Sequence, residues 1–377
     1  MRVLYWTQAF WPHVGGIEVS AVRLLPGLQP RGFQFEVVTS HGSLALPDED
    51  RFDGIPLHRF DFYRALAERR PAQIIALTQR LARLKRDFKP DLIHINFSDP
   101  SIFFHLRTAA AHPAPLVLSF RLMVETTVDG LDHTLLGQAL RSADWVTANS
   151  NATLADVRQR APEIESRSSI IYERGAMPGL VPAPLPFAPP VLLCLGRLVE
   201  EKGIDLALTA FGALAGRFPA ARLIVAGDGP ARPALEQQAA ALGVANRVKF
   251  TGWVSPDNVP ALMNEATCVV VPSRWREAFG QVALEAAQMG RPVIAARVGG
   301  LPEVVLHGKT GLLFERNDNA GLGEAIAYLL ERPAEAERMG RAARKWARAT
   351  FDWPAYLDAH ETIYRRLVKE IQSDATP

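Results

Sequence analysis

Short apolar runs alternate with helix-patterned segments twice along this chain, and that alternation restricts its fold more than any other feature. The first half carries RVLYWTQ, QFEVVTS, DLIHINF, PLVLSFR and WVTANS. The second carries PVLLCLG, RLIVAGD, RVKFTGW, CVVVPS, RPVIAAR and TGLLFE. Val/Ile/Leu runs separated by helices are how parallel strands buried on both faces read. Each half is therefore expected to be an α/β, doubly wound, Rossmann-like domain. Between them Arg174–Pro190 (RGAMPGLVPAPLPFAPP) is dense in proline and without periodicity, and reads as an extended linker. The predicted division is an N-terminal domain over 1–175, a linker over 176–190, a C-terminal domain over 191–350 and a closing helix over 351–377. Ligands of open α/β sheets bind beyond the carboxyl ends of the strands, so two such domains facing each other would enclose a deep cleft.

The chain has 377 residues, ample for two cores, with 48% hydrophobic and 22% charged residues. Its 42 Lys+Arg against 40 Asp+Glu leave a formal charge of +2, which argues against a nucleic-acid partner. Cys194 and Cys268 lie inside apolar runs, as in a reducing compartment. No signal-peptide layout or membrane-length apolar run is present, so the expectation is a cytoplasmic protein. One segment leaves peripheral contact with the inner face of a membrane open. RRPAQIIALTQRLARLKRDFK is basic and amphipathic, with Ile74, Leu77, Leu81, Leu84 and Phe88 on one face. It reads either as a helix packed on the first sheet or as a surface for anionic lipid.

The polar residues that follow strands are the candidates for chemistry. Gly15 and Gly16 precede a helical pattern with Val19, Val22 and Leu25. The pair is either a tight turn or a close approach to an anion at a helix start. Glu18 would complement the helix dipole, and His13 stands just before the glycines. In LLCLGRLVEEKGIDLALTAF, Arg197 follows a strand and Lys202 precedes Gly203, with a helix expected from about Ile204. Two fixed cations beside a helix N-terminus suit a diphosphate, although surface charges in a loop would look the same. LIVAGDGPARPALE has Gly227, Gly229 and a Pro230 suited to the first helical position, but no full dinucleotide fingerprint. In SRWREAFGQVALEAAQMG, Glu277 reads as a loop residue and Glu285 as helical, with Gly280 at the helix start. Asp48–Asp50 (DED) reads as solvated loop charge, and no cluster has metal-ligand spacing.

GRLVEEKG, AGDGP, FTGWV, PSRWREAFGQVALEA and GGLPEVV occur in this order and spacing. With GGIE and DLIHIN in the first half, they resemble the retaining GT-B glycosyltransferases of family 4 over essentially the whole chain. The element of two glutamates separated by seven residues, Glu277 to Glu285, is that family's hallmark. The resemblance implies a GT-B fold and metal-independent transfer of a sugar from a nucleotide diphosphate donor to a carbohydrate, lipid-linked or small-molecule acceptor. UDP is the first expectation for the nucleotide and GDP the next. It implies that Arg197 and Lys202 hold the diphosphate and that Glu277 binds sugar hydroxyls beside the amides of Phe279, Gly280 and Gln281. Glu285 would bind the ribose, Val254 would lie near the base, Gly227 would line the donor site, and Gly15 and Gly16 would close on the phosphates. No cofactor is implied. Candidate acceptor-binding residues are His13, Glu18, His94, Asn96 and Arg121.

The first half departs from the family. Where the strand matching PLVLSFR commonly ends in a histidine, Arg121 stands, and Asn96 replaces a frequent second histidine. Arginine stays protonated and cannot be a general base. It would either bind an acidic acceptor or pair with Glu125. Two alternatives to transfer remain at this level: a nucleotide-sugar-binding protein without turnover, and a nucleotide-sugar epimerase on the same fold. The closing helices are expected to return to the first domain, with Trp353 and Tyr364 as anchors.

Overall fold

The computed structural model describes residues 1–13, 16–42, 44–96, 101–123, 134–173, 181–275 and 277–374. The chain divides into two compact units. One combines Met1–Glu173 with Pro354–Pro377, and the other is Arg174–Trp353.

The first unit is built on an eight-stranded sheet. Its strands are β1 (Arg2–Trp6), β2 (Gln34–Thr39), β3 (Glu49–Phe52), β4 (Ile55–Arg59), β5 (Leu92–Asn96), β6 (Leu116–Phe120), β7 (Trp145–Ala148) and β8 (Ser168–Ile170). Their order is β3-β4-β2-β1-β5-β6-β7-β8, parallel throughout except for the β3–β4 pair. Every residue of β5 and β6 is buried, as expected of central strands covered on both faces. The edge strand β3 instead carries Glu49, Asp50 and Arg51, charges that discourage pairing with another chain.

The second unit has six parallel strands: β9 (Val191–Leu195), β10 (Arg222–Ala226), β11 (Val248–Gly252), β12 (Cys268–Val271), β13 (Val293–Ala296) and β14 (Gly311–Phe314). Their order, β11-β10-β9-β12-β13-β14, is the doubly wound arrangement, and its direction reverses between β9 and β12. Leu192, Cys194, Leu223, Val225, Cys268, Val270, Ile294 and Ala296 share one core cluster. Both cysteines are buried and unpaired, and burial pushes both thiols up, Cys194 to about 12.

Several local expectations change. Asp48 and Glu49 are exposed charge as expected, but Glu49 and Asp50 belong to β3 rather than to a loop, and buried Arg59 donates to Asp50 at 3.0 Å. Arg80 and His41 bond Asp48. Helix Gly16–Leu28 buries Ala21, Leu24, Leu25 and Leu28, a stripe turned from the predicted Val19 and Val22. Pro230 precedes its helix, Arg232–Ala241, whose first-turn proline is Pro233. The amphipathic segment forms helix Pro71–Phe88, with Leu81 fully buried. Ile74, Leu77, Leu84 and Phe88 pack on the first core, so the face offered to lipid in the alternative reading is already covered. Among the described residues no helix is long and apolar enough to cross a membrane. Of the two proposed anchors, Trp353 groups with the second unit, while Tyr364 is buried on the first sheet beside His94.

Candidate active site

The reversal between β9 and β12 leaves two loops side by side at the carboxyl ends of the strands. The first runs from Gly196 to Gly203 and leads into helix Ile204–Ala213. The second runs from Pro272 to Gly280 and leads into helix Gln281–Gln288. Lys202 Nζ donates to Glu277 Oε2 at 2.7 Å, and Ser273 Oγ donates to the same oxygen at 2.9 Å. These three side chains line a cavity of about 20 Å³, room for a single water or hydroxyl.

The backbone explains the proximity. Gly203 caps its helix at φ +62°, and a Cβ there would meet the Pro272 carbonyl oxygen at 2.1 Å. Only glycine lets the loops approach this closely. The Arg274 N–H donates to the Glu201 carbonyl at 2.8 Å, and the Arg274 side chain pairs with Asp205. From behind, Gly300 N–H donates to the Glu277 carbonyl at 2.8 Å. Gly280, at φ +101°, turns the chain into the next helix. Glu277 therefore precedes the helix, and Glu285 lies in its second turn, half-buried, with Gln281 Nε2 3.4 Å from its Oε1.

The remaining donor candidates sit at the same edge of the second sheet. Arg197 is exposed two residues past β9. Gly227 follows β10 and donates to the Gly252 carbonyl at 2.8 Å, and half-buried Val254 follows β11. Phe279 is buried, and Gln281 opens its helix. A helix N-terminus presents first-turn N–H groups without intrahelical partners, so positive backbone dipoles converge where Lys202 already stands. Sequence reasoning missed Ser273, Arg274 and Gly300. Ser273 carried a signal in being the polar residue that ends the apolar run CVVVPS.

The acceptor candidates of the first unit are arranged differently. Gly15 lies outside the described residues, and Gly16 begins helix Gly16–Leu28 with Glu18 in its first turn. His13 is half-buried, with Nε2 2.9 Å from the His41 carbonyl oxygen. His94, Asn96 and Arg121 are buried and hydrogen-bonded to protein partners. Arg121 Nε donates to Asn96 Oδ1 at 3.1 Å and Nη2 to the Tyr356 hydroxyl at 2.9 Å, while Nη1 pairs with Glu173. Glu173 takes the place expected of Glu125, which lies outside the described residues; its other oxygen accepts from Ser20. Burial opposes the charge of Arg121, but Glu173, Tyr356 and Tyr5 more than offset this and hold it protonated. His94 Nε2 lies 2.6 Å from Ser119 Oγ, and its Nδ1 meets the Tyr364 hydroxyl. Burial, with His360 and Arg121 nearby, drives His94 far towards the neutral form. Among the described residues no group of three or more His, Cys, Asp or Glu side chains is placed to hold a metal ion.

Comparison with known proteins agrees with this architecture. Residues 14–173 match the model described as Glycosyltransferase Family 4, and residues 183–346 match that of Glycosyl transferases group 1. The chain is 37% identical over 295 residues to glycogen synthase of Mycobacterium tuberculosis (strain ATCC 25618 / H37Rv), covering 74% of this chain and 69% of the relative. It is 25% identical over 378 residues to N-acetyl-alpha-D-glucosaminyl L-malate synthase of Bacillus anthracis, covering 96% of each. Sucrose-phosphate synthase from Thermosynechococcus elongatus shares the fold with a TM-score of 0.83 at 22% identity, covering 98% of this chain and 99% of that one. With its paired doubly wound sheets and these matches, the chain belongs to the family 4 glycosyltransferases and has their GT-B fold.

Proposed function

We propose that the enzyme transfers a hexosyl group from a nucleotide diphosphate sugar to an acceptor hydroxyl, with retention at the anomeric carbon and without a metal. The Lys202–Glu277–Ser273 cluster at the β9/β12 reversal carries the reading. A departing nucleoside diphosphate gathers negative charge on its phosphate oxygens. Preorganised cations and helix N–H groups lower the barrier by meeting that charge where it develops. Lys202 supplies one cation at the loop, Arg197 a second, and the start of helix Gln281–Gln288 the aligned amides. Glu277 would bind hydroxyls of the transferred sugar, and Glu285, in the second turn of that helix, the ribose. Gly227 and Val254 border the nucleotide end.

Retention follows if the acceptor attacks from the face the diphosphate leaves, the leaving oxygen accepting the acceptor's proton. This route needs no protein general base, which suits a chain whose His94 is enclosed and whose Arg121 is permanently charged. UDP is the preferred nucleotide and GDP the next. The relatives' acceptors are diverse, so the acceptor is assigned only as a carbohydrate, lipid-linked or small-molecule hydroxyl.

A thermal-shift screen over nucleoside diphosphates and their sugars tests the donor. The right donor should raise the melting temperature by mass action, about 2.7 kcal/mol of added stability at a hundredfold excess over Kd. A flat response to every donor would defeat the proposal. With the donor identified, proton NMR of the product should show the donor's anomeric configuration, and turnover should survive chelation with EDTA.

A further inference from the structure

The first unit contains a pocket away from the carboxyl ends of its strands. Its volume is about 310 Å³, and Ile93, His105, Leu106, Pro113, Leu116 and Ser142 contribute to its lining. Ile93 and Leu116 stand at the beginnings of β5 and β6. The wall is apolar except at a few points, and the most consequential of these is His105, on helix Ser101–Arg107.

His105 is only 4% exposed, and its Nδ1 lies 3.4 Å from Lys85 Nζ, which enters from helix Pro71–Phe88. Lys85 is fully buried, 6.0 Å from the Trp6 ring centre, and has no carboxylate partner among the described residues. When Lys85 is an ammonium it can only donate, so Nδ1 then accepts and the proton of the neutral imidazole resides on Nε2. His105 lines the pocket, and its Nε2 makes no hydrogen bond among the described residues. Burial lowers Lys85 to about 7 and holds His105, with Lys85 beside it, well below the usual histidine range. The pair is a buried base without a carboxylate counter-charge among the described residues, and His105 borders an apolar pocket of ordinary small-ligand size.

We propose that this pocket binds a small carboxylate with a short apolar body, the carboxylate on His105 Nε2 and the body against Ile93, Leu106 and Leu116. An unpaired ammonium in an apolar setting is unfavourable, and an anion on the far side of the imidazole supplies what it lacks. The hydrogen bond becomes charge-assisted as Lys85 or His105 takes up a proton. A neutral amide would accept from Nε2 but bring no charge. A phosphate would bring charge but leave several oxygens against apolar side chains. The site uses none of the donor-site residues, so it stands independently of the proposed transfer reaction.

Calorimetric titration of the full chain with hexanoate and benzoate, and with the matched amides, tests the assignment. The carboxylates should bind saturably in the millimolar range, at least about tenfold tighter than their amides, and should shift the His105 Nε2 resonance in nitrogen NMR. Ala110→Trp fills the exposed rim without altering any charge and should abolish binding with little change in melting temperature. His105→Gln should weaken binding about tenfold or more. No saturable binding of either carboxylate, equal binding of acid and amide, or full binding to Ala110→Trp would each overturn the proposal.

Discussion

At the residue scale, both hydrogen bonds that the described residues make to the Glu277 carboxylate fall on Oε2, from Lys202 and Ser273. The carboxylate is thus fixed by one oxygen, which leaves Oε1 for a ligand hydroxyl. Ser273→Ala removes one donor to an ionised carboxylate, worth about 1.5–3 kcal/mol, so donor kcat/KM should fall roughly ten- to a hundredfold with nucleotide Kd unchanged. Glu277→Ala should reduce turnover far more than it weakens the free nucleotide, whereas Glu285→Ala should weaken the nucleotide itself; isothermal titration with the diphosphate alone separates the two. A different prediction concerns Lys85. Its folded-state pKa of about 7 lies well below the ordinary lysine value. Between those values the unfolded chain binds the extra proton, so unfolding free energy must rise with pH from about 7 to about 10. Below pH 7 both states are protonated and the burial penalty is at its fullest. Lys85→Met should remove this slope and stabilise the protein at neutral pH by a few kcal/mol, measured by urea unfolding across the range.

At the scale of elements, Gly203 decides whether the loops after β9 and β12 can lie together. Gly203→Ala combines a left-handed backbone with a clash against the Pro272 carbonyl. It should destabilise by about 1–3 kcal/mol and displace Lys202, seen as a lower melting temperature and weaker diphosphate binding. Five strands of the second sheet were legible as runs rich in apolar residues, and β11 (VKFTG) by its alternation of apolar and polar residues. β3, β4 and β8 were not, since EDRF, IPLHR and SSI hold too few consecutive apolar residues to stand out and owe their strand state to neighbours. The same difference divides the site. Arg197, Lys202 and the two glutamates lie within contiguous motifs. Glu173 lies 52 positions from Arg121, and Tyr356 lies 235 positions from it, and no local pattern announces such pairings. The partners of Arg121 were hidden for that reason: Glu173 and Tyr356 come from distant segments and occupy part of its donor set.

At the scale of the molecule, the chain leaves the first unit after Glu173 and returns to it at Pro354. Arg121 bonds residues at both points, Glu173 and Tyr356, and His94 meets Tyr364 farther along the returning helix. Removing Pro354–Pro377 would strip partners from two buried polar side chains at once. Calorimetry of that truncated chain should show the first unit's transition lost or sharply lowered, with that of Arg174–Trp353 retained. Tyr364→Phe, a milder change, should cost about 1–3 kcal/mol.

The interrupted first unit also sets the order in which the protein can be completed during synthesis. The ribosome delivers Met1–Glu173 first, yet the helix that supplies Tyr356, His360 and Tyr364 follows only after all of Arg174–Trp353 has been made. At about 5–20 residues per second that interval lasts roughly 10–40 s. Throughout it the nascent sheet carries Arg121 and His94 without their last partners, while the contiguous second unit can finish folding. The segment translated first is therefore the last to mature, and it is the one with most to gain from a chaperone held near the exit tunnel.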